Sequence, residues 1–339
     1  MRTQIKGITM FQAPSFGITG RLTSCVATLC ALVVASAPHY PCSAGLLLWS
    51  DSSDSTIKQS NLDGTDISTV ISDSARSLAV DETNNKIYWV NADNGAIKRA
   101  NSNGTAIETF YAGGDYIREL AVDPNAGYVY WADQGHGTAS NLSIGSVNRA
   151  NLDGTGVTSL MSDLNDPFGI ALDTNNGEMF ITLGATPGGS DKIIKSLLDG
   201  SSITDVLLSS GDGLHGIAID STNSKIYWPT NFPGPTADLR SANFDGSSVS
   251  TLTSGGSGND WRYVDVNEAT SEIYFTKGIV GGGDGIFSIN TDGTGLQSIV
   301  STGDLGPLAV ANFSSVPEPN SLAIFAIGSV GIFWSRRRR

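Results

Sequence analysis

The sequence predicts an all-β protein folded as a six-bladed β-propeller of four-stranded blades, and three observations carry that prediction. An alternating apolar strand recurs six times, as LLLWSD at 46, KIYWVN at 86, YVYWAD at 128, EMFITL at 178, KIYWPT at 225 and EIYFTK at 272. Each is followed by a glycine turn: NLDG at 61, NSNG at 101, NLDG at 151, LLDG at 197, NFDG at 243 and NTDG at 290. A third segment completes the unit: SLAVD at 77, ELAVD at 119, GIALD at 169, GIAID at 216, YVDVN at 263 and PLAVA at 307. A period of about 40–50 residues holding several short strands is the signature of a propeller. Composition agrees, since 40 glycines and only 16% charged residues belong to a turn-rich β protein, while 40% apolar residues can fill a core.

Taken in order, the first 44 residues contain no acid and carry Arg2, Lys6 and Arg21 ahead of the apolar run CVATLCALVVASA at 25–37. That run is short for a membrane span, and PCSAG offers small residues for cleavage after Ala44, so residues 1–44 are expected to be a secretory signal peptide. Cleavage there removes Cys25, Cys30 and Cys42 and leaves a domain without cysteine, stabilised by packing rather than by disulfides.

Residues 45–313 are the propeller. Each unit supplies an inner LAVD-type strand, the aromatic strand, a strand such as IKRAN at 97 and an outer strand such as IETFY at 107. Asp-Gly and Asn-Gly suit tight hairpins because glycine takes positive φ without strain. One such sheet is marginal alone and must bury both faces against neighbours. Ala79, Ala121, Ala171 and Ala218 are small where inner strands crowd the axis, and Val80, Val122, Leu172 and Ile219 beside them are expected in the core between blades. The first unit lacks an inner strand before Leu46 and the chain supplies one near Pro307. The C-terminal strand should therefore close the ring in the first blade, removing its open edges.

Residues 314–339 form a tail with Pro317-Glu318-Pro319, an apolar stretch at 322–334 and four arginines, Arg336, Arg337, Arg338 and Arg339. Thirteen helical residues reach only about 20 Å against a hydrocarbon core of about 30 Å, a marginal span better suited to transient insertion and processing. This order of motif, apolar helix and arginine cluster resembles the PEP-CTERM sorting signal of bacterial exported proteins. The resemblance implies a membrane transpeptidase-like exosortase as processing partner, transient inner-membrane insertion, and delivery to the cell surface or extracellular matrix. The repeats KIYWVNADNGAIKRANSNG and YVYWAD…VNRANLDG likewise resemble the YWTD, or class B, repeats of the low-density lipoprotein receptor family. That likeness covers residues 46–313 and implies a six-bladed propeller with a habit of binding proteins on one face. The threonine-aspartate half of the motif is rarely intact here, and EMFITL lacks the tryptophan.

Charge and motifs narrow the function. All 33 acidic residues follow Gly45, whereas seven of the 20 basic ones lie in the two tails, leaving a net of about −20 between them. Such a field opposes nucleic acid and anionic lipid. Trp49, Trp89, Trp131 and Trp228 repeat with the fold and read as core; Asp81, Asp123, Asp173 and Asp220 read as caps of the following turns rather than as calcium ligands. Only His136 and His215 remain after the signal, with no H-E-x-x-H, G-x-S-x-G or P-loop, so no catalytic residue, metal or cofactor is expected. Extra loop length gathers on one face, in DQGHGTASNLSI from Asp133, GATPGGSDK from Gly184, NFPGPTADL from Asn231 and GIVGGGDGI from Gly278. Insertions on one face of a repeat protein mark recognition. The candidate contacts there are Tyr116, His136, Phe168, His215, Phe232, Asp260, Trp261 and Arg262, a mixture of aromatic anchors and polar partners. The expected function is a non-catalytic binding or structural module for a surface protein or exopolysaccharide. The alternative is a secreted hydrolase or lyase acting on sugar-derived substrates.

Overall fold

The computed structural model describes residues 45–135, 144–184, 190–209, 213–230, 236–256, 259–279, 284–301 and 303–313. The expected signal peptide and sorting tail lie outside them. The described chain is entirely β. Blade 1 begins with β1 (Leu46–Asp51), β2 (Thr56–Asn61) and β3 (Ser68–Ile71). Blade 2 is β4 (Ala75–Asp81), β5 (Lys86–Asn91), β6 (Ile97–Asn101) and β7 (Glu108–Tyr111). Blade 3 is β8 (Ile117–Asp123), β9 (Tyr128–Asp133), β10 (Ile144–Asn151) and β11 (Thr158–Asn165). Blade 4 is β12 (Pro167–Asp173), β13 (Glu178–Leu183), β14 (Asp191–Leu197) and β15 (Thr204–Ser209). Blade 5 is β16 (Ala218–Asp220), β17 (Lys225–Pro229), β18 (Ala237–Asn243) and β19 (Ser250–Gly256). In blade 6, β20 (Asn259–Asp260) and β21 (Val264–Asn267) both pair with β22 (Glu272–Ile279), followed by β23 (Gly285–Asn290) and β24 (Gln297–Val300).

Closure is as the strand order requires. The last strand, β25 (Leu305–Ala311), runs antiparallel to β1, with Leu47 opposite Val310 and Trp49 opposite Leu308. The inner strands neighbour one another in the order β25, β4, β8, β12, β16, β21 and back to β25.

An apolar cluster fills each of the six blade interfaces. Trp89, Trp131, Trp228 and Trp49 are fully buried in four of them, so the repeated tryptophan is core. Between blades 3 and 4 that position is Ile181, and Met161 and Met179 pack in the same cluster; methionine suits irregular gaps. Between blades 5 and 6 it is Phe275, on which Trp261 packs with ring centroids 5.3 Å apart. Along the inner strands and their entries, Leu78, Leu120, Ile170, Ile217, Val264 and Leu308 are buried at one equivalent position of each blade. Val80, Val122 and Leu172 are partly buried and pack against the interface clusters as expected, Ile219 is buried within one, and all four also line the cavity around the axis.

The glycine turns join neighbouring blades. In the third blade Asp153 Oδ1 accepts from Thr155 N at 2.9 Å and from Thr155 Oγ1 at 2.6 Å, and the Asp63, Asp245 and Asp292 turns repeat this pair of bonds. Gly104 and Gly246, at φ of 78° and 79°, illustrate why glycine is required: a Cβ would collide with the carbonyl oxygen of Val70 or Val206, each on the outer strand of the preceding blade. The turns after the inner strands are capped as expected, with Asp81 accepting from Asn84 N and Asp220 from Asn223 N, both at 2.8 Å.

The inner strands leave backbone groups facing the axis without a strand partner, and buried amides need acceptors. Side chains from adjacent blades supply them. Ser50 Oγ accepts from Ala75 N at 2.9 Å, Ser77 Oγ from Leu120 N at 3.1 Å, Glu119 Oε2 from Ile170 N at 3.1 Å, and Asp265 Oδ2 from Val310 N at 2.8 Å. Polar side chains of the two innermost strands thus bind blade to blade.

Candidate functional site

The loops that differ between blades lie at the end of the ring where the inner strands begin. Ladder partners align those strands: Leu78 faces Trp89, Leu120 faces Trp131, Ile170 faces Ile181, Val264 faces Phe275 and Leu308 faces Trp49. Two residues nearer the mouth, one register holds Arg76, Arg118, Phe168, His215, Arg262 and Gly306. In blades 2, 3 and 4 the ladder slips there, between Ala75 and Ser77, Ile117 and Glu119, and Pro167 and Ile170. A bulge leaves its extra residue out of the ladder and re-aims the side chain. At two of these bulges the extra residue is an arginine.

The guanidinium carbons of Arg76 and Arg118 lie 4.2 and 4.3 Å from the centroid of the Tyr116 ring, and Arg118 is also 4.9 Å from that of Phe168. Phe168 meets His215 edge to face at 4.4 Å. Arg118 Nε donates to Gln134 Oε1 at 2.5 Å, and Gln134 Nε2 in turn donates to Asp166. Arg76 donates one Nη2 bond to the Ala92 carbonyl at 3.1 Å. Arg262 pairs with Asp260 at 2.6 Å. Among the described residues, neither Arg76 nor Arg118 forms a salt bridge with a carboxylate.

Burial inside the ring sets the electrostatics. It pushes Glu119 up to about 8, against the Ile170 amide bond, which favours the charged form. It raises Asp265 to about 6 and Tyr263 to about 12, the latter against the nearby charges of Arg262, Arg118 and Arg76. His215 falls to about 4, first through burial and then through the positive charge of Arg262. Glu119 and Asp265 line a cavity around the axis and Tyr263 a neighbouring pocket, yet protein surrounds all four groups at longer range, so desolvation outweighs their partial exposure.

Two hollows flank this layer. On the loop face, a pocket of about 270 Å³ between blades 6 and 1 is lined by Ser52, Asp260, Arg262, Tyr263, Asp284 and Asp304, among others. Towards the turn face, the channel widens into a cavity of about 300 Å³ whose wall includes Ala79, Ala121, Ala171, Ala218, Glu119 and Asp265. Among the described residues no group of three or more His, Cys, Asp or Glu is placed to hold a metal ion.

Of the candidate contacts, Tyr116, Phe168, His215, Asp260 and Arg262 come together around the mouth. Trp261 does not: it has no exposed surface, belongs to the core of blades 5 and 6, and carries Lys277 Nζ 4.7 Å from its ring centroid. His136 and Phe232 lie outside the described residues. Arg76, Arg118, Glu119, Tyr263 and Gln134 were not among the sequence candidates. Aligning the inner strands would have found the arginines, since ARSLAVD and IRELAVD put them in the column of Phe168, His215 and Arg262.

Comparison with known proteins agrees on two points. The PEP-CTERM protein-sorting motif matches residues 315–339, which marks the chain for an exosortase-type sorting system, with export and a membrane-anchored precursor bound for the cell envelope. No curated protein matches the sequence. Among solved structures, a nidogen/laminin complex is 17% identical with a TM-score of 0.63, covering 79% of this chain and 98% of that one. TolB from Acinetobacter baumannii is 14% identical with a TM-score of 0.63, over 79% and 66%. A GH74 enzyme from Niastella koreensis is 16% identical with a TM-score of 0.55, over 77% and 44%. At such identities the likeness concerns the fold alone. The protein is a six-bladed β-propeller with a PEP-CTERM sorting tail. Among the described residues no helix is long and apolar enough to cross a membrane; the apolar stretch at 322–334 lies outside them.

Proposed function

We propose that the chain is exported under its N-terminal signal, processed at its tail by an exosortase-like transpeptidase, and displayed at the cell surface or in the matrix as a non-catalytic binding module for protein or polysaccharide. The observation that carries the reading is the loop-face mouth: Arg76 and Arg118 lie over Tyr116 without a carboxylate to pair with, in a domain of strongly acidic composition. A half-buried cation held on an aromatic platform costs desolvation, and a ligand that pairs with it recovers that cost. Two measurements test the reading together. Mass spectrometry of the exported protein should show ends at about residues 45 and 317, and capture from envelope extracts should depend on the loop face. An intact arginine tail on the surface product, or capture unchanged by substitution at Arg76 and Arg118, would overturn it.

One observation favours a second reading, a secreted lyase or hydrolase acting on sugar-derived substrates. Burial holds the Glu119 carboxyl high enough to carry a proton at neutral pH, just below the arginines. Its Oε2 is already engaged by the Ile170 amide, which makes the blade-to-blade role the stronger one. Release of product from an oligosaccharide, abolished by Glu119→Gln, would reverse that order.

A further inference from the structure

We infer that the mouth is a carboxylate-recognition subsite for a uronate sugar unit of an acidic polysaccharide; the inference rests on the binding reading above and names the chemistry of its ligand. Arg76 and Arg118 each engage one protein acceptor among the described residues, through one Nη2 bond and one Nε bond respectively. Guanidinium forks match a planar carboxylate bidentately. Both side chains are fixed in advance: each is the extra residue of a bulge, each lies on the Tyr116 ring, and the Gln134 amide, itself held by Asp166, holds Arg118 from the other side. Fixed donors lose little entropy on binding.

The neighbouring pocket decides between sugar and peptide. Arg262 belongs to both the arginine layer and the pocket of about 270 Å³, whose lining also includes Tyr263, Asp260, Asp284, Asp304 and Ser52. Those carboxylates accept hydrogen bonds from hydroxyl groups, which a uronate unit carries beside its carboxylate and a glutamate side chain lacks.

The test is calorimetric titration of the full-length chain with a linear trigalacturonate, its methyl ester, a tri-glutamate peptide and sodium sulfate, at two salt concentrations. Trigalacturonate should bind; the methyl ester and the peptide should bind at least about tenfold more weakly, as expected for loss of a charge-assisted pair. Arg118→Gln and Arg76→Gln should each weaken trigalacturonate by about tenfold at unchanged melting temperature, and Arg118→Lys should fall between. Equal binding of acid and ester, tighter binding of the peptide, or the same affinity for sulfate as for the uronate would overturn the assignment. If trigalacturonate fails while the protein still captures an envelope partner through the loop face, the carboxylate assignment falls and the binding reading stands. If neither binds, both fall.

Discussion

The two faces of the ring differ in how far they repeat. On the turn face, Asp63, Asp153, Asp245 and Asp292 each close the same pair of hydrogen bonds, and the turn glycines pack against the preceding blade. On the loop face, one register reads arginine, arginine, phenylalanine, histidine, arginine and glycine around the axis. A contact needed by every blade interface is written six times; a contact needed by one ligand is written once. Uniformity therefore marks the chemistry of assembly, and departure from it marks the place where something else can be bound.

Substitutions can test that division, starting with the core beneath both faces. Trp89→Ala removes an indole with no exposed surface and its Nε1 bond to Asp73, and should cost about 3–5 kcal/mol in denaturant unfolding. A cost under 1 kcal/mol would mean the tryptophans are not core. On the turn face, Gly246→Ala places a Cβ at positive φ and against Val206, with an expected cost of about 1–3 kcal/mol and no change in ligand binding. A binding defect at full stability would dissolve the distinction between faces.

Between the faces, Glu119 and Asp265 tie stability to pH. Both folded-state pKa values lie above the ordinary carboxylate range, so the folded protein holds protons that the unfolded chain releases. Their stabilising contribution is complete below about pH 4 and is lost as pH rises towards 6 for Asp265 and 8 for Glu119, at no more than about 1.4 kcal/mol per pH unit for each proton. His215 acts in the opposite sense, losing its contribution as pH falls from about 6.5 towards 4, so the difference between wild type and Glu119→Gln isolates the glutamate. Melting curves should show that variant losing less stability between pH 5 and 8 than wild type; parallel curves would refute a buried, protonated Glu119. The smallest effect expected on stability is Arg118→Gln, within about 1 kcal/mol, because this partly buried arginine makes no salt bridge and glutamine keeps its aliphatic stem over the rings. A larger loss would make the mouth part of the scaffold.

The sequence was most legible where the fold repeats. Strand periodicity, the turn glycines, the closing strand and the capping aspartates all follow from short-range rules applied to six copies, so an error in one copy is corrected by the other five. Trp261 lies beyond the reach of such rules: it stands outside the repeated aromatic column, as a ligand contact would, yet it packs on Phe275 where that column lacks its tryptophan. Arg76 was invisible for another reason. It stands one residue before the repeated SLAVD segment, and only the slip between Ala75 and Ser77 shows that its side chain leaves the ladder. Bulges depend on how two strands register, which no single strand records.

The closing strand has a mechanical consequence. β25 begins at the loop face and ends at the turn face with Ala311, and the chain continues from there towards the sorting tail. Tension applied in line with β25, by a membrane or by the processing machinery, would load that strand along its own length. Its hydrogen bonds to β1 run across that direction and would be loaded together in shear rather than opened one at a time. The seam that completes the ring is thus also the handle by which it is held, arranged to resist the pull.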